Sequence, residues 1–183
     1  MDSFFNHNAI IISLDVDACV VDTLHQVVKA GFHKVELNAA DPRWLAKIIH
    51  DFPMLQIGAG NIMDTQQLED CYQAGVSFAT SPGFMPSIAQ TAQIYSMNYI
   101  PGVATLSEAM QAKASGCQHV RPFPANLAFC TLLNKYLPGL QLYPAEIQWE
   151  EAEHFLSLPS VVAVSILNPE REYLNAYEAL HAN

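Results

Sequence analysis

The chain has 183 residues, 51% hydrophobic and 14% charged, which suffices for one domain with a sizeable core. Eight Lys and Arg against 18 Asp and Glu give a formal net charge of −10, scattered along the chain. Nucleic acids and anionic membranes are therefore poor partners, because both recruit clustered cations. No stretch approaches the roughly 18 apolar residues of a membrane helix.

The opening segment "MDSFFNHN" has no basic region and no cleavage pattern, so a cytoplasmic protein without a secretion signal is expected. Short β-type runs then recur: "IIISLDV" from 10, "KVELN" from 34, "QIGAG" from 56, "FATSP" from 78, "YIPGV" from 99, "HVRPFP" from 119, "LQLYP" from 140 and "VVAVSIL" from 161. Their starts are spaced by 20 to 24 residues. Helical patterns fill the gaps. "DTLHQVVKAG" reads as capped by Asp22 and stopped at Gly31. "DPRWLAKIIHDF" has Asp41 as cap and Pro42 at the first helical position. "DTQQLEDCYQAG" opens at Asp64 and stops at Gly75; "TLSEAMQAKASG" pairs Thr105 with Glu108 as a capping box and stops at Gly116. Cys19, Cys71, Cys117 and Cys130 form no CxxC pair, lie in apolar helical or strand contexts and read as small buried hydrophobes in reduced form.

Eight strands alternating with eight helices predict parallel βαβ units, closed as a compact (β/α)8 TIM barrel that spans residues 1–183 as a single α/β domain. The rival is an open doubly wound sheet. It calls for a glycine-rich phosphate turn after the first strand, and "DVDACVVD" has no G-x-G-x-x-G.

A barrel of this kind builds its site at the C-terminal strand ends. Those ends carry Asp15 and Asp17, Glu36 and Asn38, Asn61, Ser81 with Pro82 and Gly83, Pro101, Arg121, Tyr143 and Glu146, and Ser165 and Asn168. Glu36 and Arg121 stand apart. Each is a charge inside an apolar strand, where it is costly unless paired, so the two are expected to meet in the barrel interior. That pairing is compatible with catalysis and equally with a purely structural buried salt bridge. Asp15, Asp17, Glu36 and Glu146 could supply oxygens to a divalent cation, but their spacing fits no ligand motif, and no metal and no cofactor is expected. His119, at the base of its strand, reads as a satisfied structural histidine.

The ordered motifs "AGFHKVEL", "IGAGN", "QLEDCYQAGVSFATSPG", "YIPGVATLSEAMQAKASG" and "VRPFPA", from about residue 10 to 168, resemble the family of 2-keto-3-deoxy-6-phosphogluconate and 4-hydroxy-2-oxoglutarate aldolases. The resemblance implies a (β/α)8 barrel, usually a homotrimer, and class I lyase chemistry on small 2-oxo acids. In that chemistry a lysine on strand six forms a Schiff base and a glutamate on strand two moves protons. The glutamate matches Glu36. The lysine matches Arg121, which keeps the charge but is a poor nucleophile. Lys29, Lys47, Lys113 and Lys135 fall in helices, and Lys34 begins strand two at the wrong end of the barrel. The family arginine that helps bind the substrate carboxylate is Ala40 here, and the threonine after "GAG" is Asn61. Where the family has phosphate-binding glycines, this chain reads "PAEIQ" and "VSILN".

Glu36 and Arg121 are thus the catalytic candidates, with Asn61, Ser81, Pro82, Gly83, Pro101 and Phe123 as candidate substrate contacts. Two functions stay open. One is altered enolisation or lyase chemistry on a small 2-oxo acid with Glu36 as base. The other is a non-catalytic homologue serving in binding or assembly. Phe84, Met85, Met97 and Phe129 are apolar residues that could serve oligomerisation and could as well be core.

Overall fold

A computed structural model describes residues 9–38 and 41–181, the side chains of 177–181 excepted. Ala40 and "MDSFFNHN" lie outside the described residues. The strands are β1 (Ile10–Asp15), β2 (Lys34–Asn38), β3 (Gln56–Gly60), β4 (Phe78–Ser81), β5 (Tyr99–Val103), β6 (His119–Pro122), β7 (Gln141–Leu142) and β8 (Val164–Leu167). The helices are α1 (Val20–Lys29), α2 (Pro42–Asp51), α3 (Thr65–Ala74), α4 (Pro86–Ile94), α5 (Leu106–Ala114), α6 (Leu127–Tyr136), α7 (Ala152–Leu156) and α8 (Arg171–His181). Strand follows helix throughout, as the period predicts.

All strand pairs are parallel, in the order β7-β6-β5-β4-β3-β2-β1-β8. The two ends of that order meet. Leu142 bridges Val161, Val162 N donates to Leu142 O at 3.0 Å, and Ser165 N donates to Pro144 O at 2.9 Å. The sheet therefore curls into a barrel. The last two strands are shorter than the sequence suggests. Pro144 has no N–H to extend β7, and residues 161–163 form only an isolated bridge ahead of β8.

Local chemistry explains most helix ends. The Asp41 carboxylate accepts from Arg43 N and Trp44 N, Asp64 accepts from Gln67 N, and Thr105 and Glu108 complete the capping box. Gly31, Gly75 and Gly116 turn with φ of 85°, 90° and 87°, which stops a helix at little steric cost. Asp22 is a correction: it lies inside the first turn of α1, after the N-cap Cys19. Asp17 does the local capping instead, accepting from Cys19 N at 2.8 Å.

Side chains alternate along each strand, and the two faces differ. Ile10, Ile12, Val35, Leu37, Ile57, Ala79, Val120, Val164 and Ile166 join the large core between sheet and helices. Phe84, Met97 and Phe129 pack against that core, while Met85 is 42% exposed. Inside the barrel lies a second, small cluster of Ile11, Phe78, Ile100 and Ala163 with Tyr143 against it. Above this apolar layer the interior turns polar: Ser13, Glu36, Asn38, Thr80, Arg121 and Ser165 are all buried. Among the described residues no helix is long and apolar enough to cross a membrane.

Candidate active site

β2 and β6 stand four strands apart in the eight-strand ring, so Glu36 and Arg121 approach each other across the barrel. Arg121 Nη1 donates to Glu36 Oε1 at 2.8 Å, to Oε2 at 2.7 Å and to Thr80 Oγ1 at 2.8 Å. Ser13 Oγ donates to Glu36 Oε1 at 3.0 Å, and Asn38 Nδ2 donates to Ser13 Oγ at 3.0 Å. Glu36 is 1% exposed and Arg121 7% exposed. A charge pair this deep persists only when geometry and further hydrogen bonds offset desolvation, and here both conditions are met.

The network continues to the rim. Asn38 Nδ2 also donates to Asp15 Oδ1 at 3.2 Å, and Asn168 Nδ2 donates to Asp15 Oδ2 at 2.8 Å. Asp15 N returns a bond to Asn168 Oδ1 at 3.0 Å, which ties the end of β8 to β1. Asp15 and Asp17 are thus held by amide donors, and Glu146 lines a different cavity. Among the described residues no three His, Cys, Asp or Glu gather to hold a metal.

The "GAG" of β3 makes room for this layer. A Cβ on Gly60 would lie 2.0 Å from Asn38 Oδ1 and 3.0 Å from Glu36 Cγ. Only glycine lets the neighbouring strand carry two polar side chains there.

The remaining expected contacts scatter. Phe123 stays close, its ring centroid 5.9 Å from Arg121 Cζ. Pro82 and Gly83 follow β4 and are exposed. Ser81 and Pro101 alternate with the inward Thr80 and Gly102, so they lie on the helix-facing side. The Ser81 hydroxyl bonds Gly83 O at 2.6 Å and the Tyr99 hydroxyl, joining β4 to β5. Burial pushes the Tyr99 phenol up to about 12, the Ser81 bond opposing in part. Asn61 takes a left-handed φ of 60° and lines a separate cavity of about 300 Å³ beside α3 with Gly60, Gln67 and Cys71.

Sequence reasoning did not single out Ser13 or Thr80. Register supplies the missing signal: Ser13 pairs with Glu36 across β1 and β2, and Thr80 sits two residues beyond the inward Phe78. His119 is a second correction. Its Nδ1 is buried without a hydrogen-bond partner, and its ring lies edge-on to Tyr143 at 5.6 Å.

Beyond β7 and β8 lies another cavity, about 360 Å³, lined by Glu146, Glu150, Glu170, Trp149, Asn168 and Tyr173 among others. Glu146 and Asn168 have left-handed φ of 56° and 44°, a conformation that normally favours glycine. The Tyr173 hydroxyl donates to Glu150, which holds that exposed carboxyl below its usual range.

Comparison with known proteins agrees with this architecture. The family model described as KDPG and KHG aldolase matches residues 7–169. The 2-dehydro-3-deoxy-phosphogluconate aldolase of Pseudomonas aeruginosa is 24% identical over 162 residues, covering 84% of this chain and 74% of that protein. The KHG/KDPG aldolase of Escherichia coli strain K12 is 35% identical over 78 residues, 43% of this chain and 37% of that one. Among solved structures, the KDPG aldolase of Legionella pneumophila, with pyruvate captured as a covalent carbinolamine intermediate, is 26% identical. It superposes with a TM-score of 0.83 over 97% of this chain and 92% of its own. From its first strand to its last, then, this chain belongs to the KDPG and KHG aldolase family.

Proposed function

We propose that the chain is an aldolase-type lyase that holds and enolises a small 2-oxo acid without forming a Schiff base. The buried Glu36–Arg121 pair carries this reading. A Schiff base needs an amine that can lose its proton, and a guanidinium does not serve. Lys29, Lys47, Lys113 and Lys135 are in helices, and Lys34 starts β2 at the opposite end of the interior.

The three hydrogen bonds of Arg121 all leave from Nη1, so Glu36 and Thr80 do not use Nε or Nη2. That edge of the guanidinium suits a carboxylate in bidentate fashion, or the oxygen on which enolate charge develops. Glu36 then takes the proton from C3. The C–H electron pair forms the C2–C3 double bond, and the carbonyl oxygen carries the negative charge beside Arg121. Ser13 and Thr80 hold the two partners in position. The cavity beyond β7 and β8 is lined by Glu146, Glu150 and Glu170, which supports a substrate without a phosphate. A cytoplasmic homotrimer is the setting that family analogy supports.

The test is deuterium exchange at C3 of pyruvate or 2-oxobutyrate, followed by proton NMR in D2O. Exchange above the buffer rate, lost in Glu36→Gln, is expected. Borohydride with pyruvate should trap no adduct on the wild type, whereas Arg121→Lys should become trappable. A wild-type adduct would sink the proposed mechanism.

One observation favours a second reading, a non-catalytic homologue that binds or assembles. Both Glu36 oxygens already accept hydrogen bonds, two at Oε1 and one at Oε2, so the base is engaged at rest. Absence of exchange with either acid would leave that reading in place.

A further inference from the structure

The N-terminal end of the barrel holds a cavity of about 290 Å³, apart from the Glu36–Arg121 pair. Its floor is Ile11, Phe78 and Ile100, three buried apolar side chains of one cluster. Ser13 and Thr80, which touch the pair, lie two residues beyond Ile11 and Phe78 on their own strands, about 7 Å further along. One apolar layer therefore separates this cavity from the pair.

Its mouth is polar and mostly neutral. Gln56, Ser77 and Asn98 stand exposed around it, and no described carboxylate lines it. Lys34 borders it too, but this side chain is already engaged. Neither sign of charge is therefore favoured in a bound molecule.

The demand comes from His119. Its Nδ1 is buried with no hydrogen-bond partner. Leaving such an atom unsatisfied is costly. Burial pushes the imidazole below its usual range, opposed by a hydrogen bond to Gln141, its neighbour on β7. The ring is thus neutral at pH 7, with its proton toward Gln141 and a lone pair on Nδ1. What Nδ1 lacks is a donor. Water meets that need poorly, because ordered water takes roughly two to four polar partners and the floor offers none. His119 also borders a neighbouring cavity of about 150 Å³, so the ring has room to turn Nδ1 toward an entering group.

The walls suit a flat ring. Tyr143 stands edge-on to the imidazole at 5.6 Å and lines the same space as Phe78. Apolar cavities of about 150 Å³ already admit benzene, so about 290 Å³ admits one substituted ring. We propose that the N-terminal end of the barrel binds a small neutral phenol. Its ring covers Phe78 and Ile100, and its hydroxyl donates to His119 Nδ1. The site is independent of 2-oxo acid chemistry at the opposite end.

The test titrates phenol calorimetrically into the full chain at pH 7. Saturable binding with a dissociation constant below about 10 mM is expected. Anisole, the methyl ether of phenol, has the same ring but no proton to donate, and should bind at least about threefold more weakly. In His119→Phe the difference between the two probes should vanish, with circular dichroism verifying the fold. Proton NOEs should link the phenol ring to Phe78 and Ile100. The site is refuted by no saturable binding in that range, by equal affinity for phenol and anisole in the wild-type chain, by a phenol preference that persists in His119→Phe, or by NOEs confined to Phe123 at the other end.

Discussion

Arg121→Met removes one partner of a buried pair and leaves the Glu36 carboxylate with Ser13 alone. Losing one member of such a pair costs about 3–5 kcal/mol, chiefly because the remaining charge is uncompensated. Urea denaturation should register that loss. The double variant Glu36→Leu/Arg121→Met should recover most of it, because no isolated charge remains. A double variant as unstable as the single one would mean that Ser13, Thr80 and Asn38 matter more than the charges. At this scale the sequence was legible where a residue broke its context. A glutamate and an arginine in apolar strands had to meet, and they do, at 2.7 Å. Ser13 and Thr80 were not legible, because a hydroxyl in a strand breaks no pattern. Their role follows only from the register that brings them beside the pair.

Between elements, spacing is controlled by backbone contact as much as by side chains. β4 and β5 come so close that a Cβ on Gly102 would lie 2.1 Å from Pro82 O. Backbone cannot yield as a side-chain tip can, so Gly102→Ala has to push the two strands apart. Overpacking of this kind costs about 1–3 kcal/mol. Gly83→Ala, where the new Cβ meets nothing within 4 Å, is the matched control. Thermal melts should separate the two variants, and equal melting temperatures would refute the contact. The same scale shows what pattern reading catches. Capping chemistry is local, so Asp41, Asp64 and Thr105 were readable. α1 was misread at Asp22 because a nearer carboxylate, Asp17, holds the turn. β7 and β8 shrank because pairing depends on neighbours and on a proline at 144, which apolar content does not report. Ser81 and Pro101 looked like pocket residues from their place at strand ends, yet alternation puts them on the helix side.

For the whole molecule, alkaline pH is the informative variable. The Tyr99 phenol is raised to about 12 by burial, against an ordinary value of 10. The folded state thus holds this proton more tightly than the unfolded chain. The resulting stability is complete below pH 10 and is lost as pH rises from there through 12. At most about 3 kcal/mol is at stake, two pH units at roughly 1.4 kcal/mol each. Stability curves measured from pH 9 to 12 should therefore fall less for Tyr99→Phe than for the wild type. Parallel curves would remove Tyr99 as the cause. The loops beyond β7 and β8 carry a different lesson. Glu146 and Asn168 hold a backbone shape that glycine adopts freely and other residues resist. Asn168 is fastened there by its two bonds to Asp15. The contour is one that glycine would trace freely, yet the cavity it borders is lined by Glu146, Glu150 and Glu170. In this barrel, ligand preference and loop geometry are separable properties.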